Sequence, residues 1–294
     1  MPISRARFVL ENPWLFTIRV INGFRANQGF LLAGAVAYYT LLSIVPMCAL
    51  ILVGLSQIHD AQGLLDTLQE YLVLISPNQA EALINQISAF MQNWKVVGLT
   101  GLIILLFFSS FAFTSLENAM SVIFFHRVEI KRRHFLISAI IPYCYILLLA
   151  LGMLLVSSVS GSLHSLDAKS ISIMGSQWSL SGLETFLVYL LGLVGEVLLL
   201  TSLYLVMPVG RLSIRHALLG GITAALLWEI TRHVLVWYFS TLSLVNVVYG
   251  TFATVIIILL TLEAAAIILL LGAQVIAEYE RIEISEETSQ GLST

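Results

Sequence analysis

Residues Phe30 to Ser56 read FLLAGAVAYYTLLSIVPMCALILVGLS, a run of 27 residues without one charged side chain. As a helix rising 1.5 Å per residue it would reach about 40 Å, more than the ~30 Å hydrocarbon core of a bilayer. A helix of that length at the surface of a soluble domain carries a polar stripe, and this one has none. It is a transmembrane helix by its sequence. Its centre is unusual, since Tyr38, Tyr39, Thr40 and Ser43 place hydroxyls at membrane depth and Pro46 follows them. Proline has no N–H for the carbonyl of Leu42, so a kink or local unwinding is expected near Ser43. In lipid the freed carbonyl needs a hydroxyl or a neighbouring helix. Tyr38, Ser43 and Pro46 are therefore candidates for a polar path.

The rest of the chain fits that reading. It has 294 residues, 59% hydrophobic and 11% charged, against about 25% charged in soluble domains. The expectation is an all-α polytopic membrane protein. Cys48 and Cys144 both sit inside apolar runs, so a structural disulfide is not expected. No cleavable leader is expected either, because the first 29 residues hold no apolar core before the long run begins.

Working outward, residues 1–29 contain Arg5, Arg7, Arg19 and Arg25, with Trp14, Phe16 and Phe24 among them. They suggest a short amphipathic helix lying on the membrane surface. After the first span, leucines and isoleucines recur at steps of three and four between residues 59 and 95, with a break at Ser76-Pro77. Two amphipathic outer helices are the natural reading. Further spans are expected at about 96–116, 135–158, 182–207, 217–239 and 251–277, making six in a membrane domain of residues 30–277. The tail, 278–294, carries Glu278, Glu280, Glu283, Glu286 and Glu287 and reads as solvated and partly disordered. Eleven of the 14 Lys and Arg fall on one side of this arrangement, two on the other, and Arg232 lies within a span. That asymmetry places both termini in the cytoplasm.

Charge inside the spans is where chemistry would reside. Glu196, Glu229 and Glu263 lie midway along the fourth, fifth and sixth spans, and Arg232 and His233 follow Glu229 at i+3 and i+4. A charged side chain at the bilayer centre costs about 3 kcal/mol on insertion scales, so none should face lipid. One arginine cannot pair with three glutamates. At least one carboxyl is then neutral, cation-bound or in contact with a polar ligand, and proton uptake is the simplest form of this. The competing reading is structural, with Glu229–Arg232 as a local pair and the other two as hydrogen-bonded acids. Gly192, Gly195, Gly220, Gly221, Ala224, Ala225 and Ala264 to Ala266 would let these helices approach closely.

Signals for enzymatic chemistry are weak: the sequence has no Walker motif, no H-E-x-x-H and no G-x-S-x-G. No catalytic residue, metal or cofactor is expected. The basic link around Lys131 to Arg133 is explained by orientation, so no nucleic-acid partner is expected.

Four stretches together resemble the YihY/BrkB family of bacterial inner-membrane proteins. They are AYYTLLSIVP (37–46), RLSIRHALLGGITAALLWEITR (211–232), YGTFATVI (249–256) and LLGAQVIAEY (270–279). The resemblance implies six helices in the cytoplasmic membrane and a link to virulence, serum resistance and export of envelope lipid or lipopolysaccharide. It carries no agreed catalytic residues. It also implies an old assignment as a tRNA-processing ribonuclease, which the short cytoplasmic links of this chain disfavour. The function expected is a transporter, flippase or exporter of a lipid-like envelope substrate, driven by proton coupling or by passive flipping, with membrane lipids as its partners. The alternative is a scaffold that recruits envelope-assembly proteins through residues 59–95.

Overall fold

A computed structural model describes residues 11–56, 103–124, 135–167, 181–207, 212–241 and 252–291, with isolated positions at 9, 65, 69, 84, 85, 88, 89 and 101. Among them every regular element is helical. The elements are α1 (Pro13–Ala26), α2 (Gly29–Ser56), α3 (Phe111–Ile123), α4 (Phe135–Asp167), α5 (Ser181–Val206), α6 (Ile214–Thr241) and α7 (Phe252–Gly291). Five helical stretches are long and apolar enough to cross a bilayer: Gly29–Leu52, Ile103–Ile123, Phe186–Val206, Ile214–Tyr238 and Val255–Ile282. A shorter apolar run, Ile140–Val156, lies within α4. The expected outer helices of residues 59–95 and the basic link of 125–134 fall outside the described residues. The second crossing is displaced from its expected bounds, since it continues past Leu116 to Ile123.

Contacts divide the chain into two units, Met1–Tyr38 with Ser115–Thr294, and Tyr39–Thr114. The first unit is built on α5, α6 and α7. Ala217, Ala224, Ala225, Ala266 and Ala273 are all buried there, so backbones meet where side chains are smallest. Gly221 is one such point: a Cβ there would strike Thr201 Oγ1 and stand 3.0 Å from Thr201 N and 3.1 Å from Val197 O. Gly272 is another, covered by the fully buried Tyr204, whose hydroxyl donates to the Leu269 carbonyl at 2.8 Å. Gly192 and Gly195, expected to serve the same purpose, have open space around them. On the other side of α5, Ser202 Oγ donates to Tyr145 Oη of α4 at 3.4 Å.

Helix α1 carries a proline in its first turn, where the missing N–H costs nothing. Its Phe16 and Val20 bury against Val275 and Ile282 of α7, with Leu219 and Tyr279 beside them. The expected surface helix therefore rests on the protein through one face. Trp14, Leu15, Ile18 and Ile21 stay exposed on the rest. The chain leaves α1 through Gln28, which takes the left-handed φ of 55° common just past a helix end, and restarts at Gly29. Phe24 packs edge-on to Phe30 across this corner, ring centroids 5.2 Å apart.

The tail differs from its sequence reading. Helix α7 runs 40 residues to Gly291, and Glu278 and Glu280 are buried rather than solvated. Their partners explain this. Arg281 Nη1 donates to Glu278 Oε1 at 2.9 Å and Gln274 Nε2 donates to it at 3.0 Å. Asn27 Nδ2 donates to Gln274 Oε1 at 2.9 Å. Glu280 Oε1 meets His216 Nδ1 of α6 at 3.0 Å.

The second unit contains the centre of α2 and the helical residues before α3. The helix runs through Pro46 without interruption, and no unwinding separates Ser43 from its neighbours. The break comes in the next crossing, as a turn at Ser110. Ser109 and Ser110 are fully buried and return their hydroxyls to the carbonyls of Leu106 and Phe107, at 2.9 and 2.7 Å. Ser43 Oγ accepts the Ala112 N–H at 3.0 Å while donating to the Tyr39 carbonyl. It thus satisfies one of the donors orphaned at the start of α3. Phe107, Phe108, Phe111 and Tyr39 stack edge-to-face around the turn.

A polar cluster at membrane depth

Helices α5 and α6 run antiparallel: Thr201 meets Gly221 near one end, and Tyr189 meets Glu229 near the other. This pairing assembles the site. Tyr189 Oη donates to Glu229 Oε1 at 2.7 Å, and Arg232 Nη2 donates to the same oxygen at 2.6 Å. His233 Nδ1 donates to the Glu229 backbone carbonyl at 2.8 Å and stands 3.8 Å from the same Oε1. One carboxylate oxygen thus gathers a phenol, a guanidinium and an imidazole.

Glu196 lies two turns beyond Tyr189 on the same face of α5. Its Oε1 is buried with no hydrogen-bond partner among the described residues. It lies within the electrostatic reach of both Glu229 and Arg232. Buried polar atoms are almost always paired, and an orphan marks a place where strain, function or an unseen ligand is at work.

The cluster is deep. Glu196 stands ten residues from either end of Phe186–Val206, and Glu229 nine residues before the end of Ile214–Tyr238. At 1.5 Å per residue that puts Glu229 about 14 Å and Arg232 about 9 Å inside that end.

Three of the residues expected from sequence, Glu196, Glu229 and Arg232, are therefore brought together. Glu263 is not among them. A Cβ on Gly34 of α2 would stand 4.0 Å from its Oε1, and no described interaction joins it to the other three. Tyr38, largely exposed, follows one turn after Gly34 on that helix. Ser43 and Pro46 belong to the second unit. Sequence reasoning missed Tyr189, whose signal was an isolated aromatic hydroxyl two turns ahead of an intramembrane carboxyl. It also missed Gln274, an uncharged amide inside an otherwise apolar run. Among the described residues no group of three His, Cys, Asp or Glu is placed to hold a metal ion.

Several apolar crossings packed through small residues, with an ion pair held at their depth, define a polytopic α-helical membrane protein. The chain matches the family described as Virulence factor BrkB over residues 20–293, and it belongs to that family. Its relatives carry the name UPF0761 membrane protein. That of Aliivibrio salmonicida is 29% identical over 276 residues, covering 93% of this chain and 86% of the relative. That of Photobacterium profundum is 29% identical, covering 83% and 74%. That of Azotobacter vinelandii is 29% identical, covering 86% of this chain but 60% of the relative, so the chain spans little more than half of some relatives. No solved structure matches.

Proposed function

We propose that this protein moves a lipid-like envelope substrate across the bacterial inner membrane, through a path that uses the α5–α6 cluster. In this reading α4 completes six crossings and both termini lie in the cytoplasm. The observation that carries it is the Tyr189–Glu229–Arg232 constellation with the orphaned Glu196 Oε1 beside it. Fully compensated structural pairs leave no carboxylate atom buried and unbonded. A site that alternates between occupied and empty does.

Glu196 is the proton-exchanging group in this scheme, because its partner is missing where Glu229 already has three. Protonation would cancel its repulsion with Glu229, and release would restore it. Glu263, with Gly34 and Tyr38 nearby, is a second polar point in the same unit. No nucleotide-binding motif is present in the sequence, so ATP would have to act through another subunit, and proton coupling or passive flipping is the preferred driving force.

The test is lipid movement in proteoliposomes of the purified protein, with and without a pH gradient. Wild type is expected to move a labelled lipid, and Glu196→Gln to slow this by about 100-fold, the lower end of what one proton-transferring group contributes. Wild type that moved no headgroup under either condition would sink the transport reading.

A further inference from the structure

Arg232 is an arginine with most of its hydrogen-bonding capacity unspent. A guanidinium offers five N–H donors in a planar fork. Here one described bond is made, from Nη2 to Glu229 Oε1. Among the described residues its neighbours make no further bond to it. Glu229 Oε1 is already shared with Tyr189, His233 is tied to the Glu229 carbonyl, and Glu196 is within electrostatic reach without bonding. Within the hydrocarbon region an unmet N–H costs several kcal/mol. The Arg232 side chain is 51% exposed on the protein, against 20% for Glu229. Its free donors thus open outward, where lipid lies.

Apolar side chains share its face: Val236, one turn after Arg232 on α6, and Phe186, one turn before Tyr189 on α5, are both exposed. A ligand that suits this place has several acceptor oxygens, negative charge and hydrocarbon attached. Carboxylate and phosphate both fit an arginine fork, and a phosphate offers more acceptors to donors pointing in different directions.

We infer that Arg232 receives the phosphate of an anionic phospholipid headgroup, whose acyl chains lie along the exposed α5–α6 face. This rests on the transport reading above and names the headgroup chemistry that its site accepts. Glu229 and Tyr189 hold the guanidinium in place. They keep it from snorkelling to the membrane surface, as an unpaired arginine near a helix end would.

The experiment is ligand binding by the purified full chain in neutral detergent, read by native mass spectrometry. The ligands are a short-chain phosphatidylglycerol, a chain-matched neutral glycolipid and inorganic phosphate. Phosphatidylglycerol is expected to bind about tenfold more tightly than either of the others, worth about 1.4 kcal/mol. Arg232→Gln should erase that preference, and Arg232→Lys should keep part of it. The Glu229→Gln/Arg232→Gln double variant removes both halves of the ion pair and strands neither, so it separates loss of the site from misfolding, and it too should lose the preference. A preference that survives both Gln variants overturns the proposal. So does inorganic phosphate binding as tightly as the lipid, which would make this a free-anion site. A change of oligomeric state in Arg232→Gln with lipid binding unaltered would assign the face to a second copy and also overturn it. The lipid-movement assay on the same variants keeps the two readings apart. Arg232-dependent binding without any movement supports the headgroup site and sinks transport. Movement without Arg232-dependent binding sinks the site and leaves transport standing.

Discussion

Gly221 and Gly192 lie on neighbouring helices of the same bundle and are expected to respond oppositely to the same substitution. Gly221→Ala forces a methyl against the backbone of Thr201 and Val197, atoms that no rotamer change can remove. Overpacking of this kind costs about 1–3 kcal/mol, and thermal unfolding in detergent should show it as a lowered Tm. Gly192→Ala meets open space and should leave the Tm unchanged or slightly raised, since alanine is the better helix former. At the charge cluster the expectation concerns coupling. Glu229→Gln leaves the Arg232 cation without its countercharge, so it should slow lipid movement more than the Glu229→Gln/Arg232→Gln double variant does. Equal rates for the two would show that the ion pair does not act as a unit. The intramembrane charges were legible in the sequence because a carboxyl inside an apolar run is conspicuous. Which of them converge was not, since Glu229 and Glu263 lie at similar depth yet on differently directed helix faces. Depth can be counted along a chain, but direction requires the packing.

At the scale of elements, the latch between α1 and α7 shows what periodicity hides. An amphipathic pattern announces that a helix has a face to bury, without saying whether lipid or protein covers it. For α1 the cover is α7. The five glutamates of the tail read as solvated because they were counted together, whereas Glu278 and Glu280 turn to different partners, Gln274 with Arg281 and His216. Gln274→Leu should leave Asn27 without its acceptor and remove one donor from Glu278. Unmet buried polar groups cost about 1–3 kcal/mol. Hydrogen exchange should speed up across residues 13–26 while α5 and α6 stay protected. Unchanged protection of α1 would mean that its apolar contacts alone hold it. Proline misled in a similar way: Pro46 sits within a continuous helix, and the interruption falls instead at Ser110, where serine hydroxyls take over backbone bonding.

For the whole molecule the class was legible because 59% hydrophobic and 11% charged residues are gathered into long uncharged runs of helix-spanning length. The number of crossings is a finer matter. With α4 counted, both termini share one side, so a reporter fused before Met1 and one fused after Thr294 should give the same cytoplasmic signal. Opposite signals would remove α4 from the set of crossings. The antiparallel run of α1 along α7, with Gly34 of α2 beside Glu263, has one more consequence. Ile282 clusters with Phe16, Glu278 and Gln274 reach Gly23 and Asn27, and Glu263 lies beside Gly34. The two strands of chain are thus held in a three-dimensional reading frame. One residue inserted between Glu263 and Gln274 would rotate one part of α7 by about 100° against the other. Either the amide latch or the carboxyl beside Gly34 would then lose its place. Many substitutions in that interval are tolerable in principle, but an insertion or deletion is not. The length of the stretch, more than its lettering, is what variants of this chain must keep.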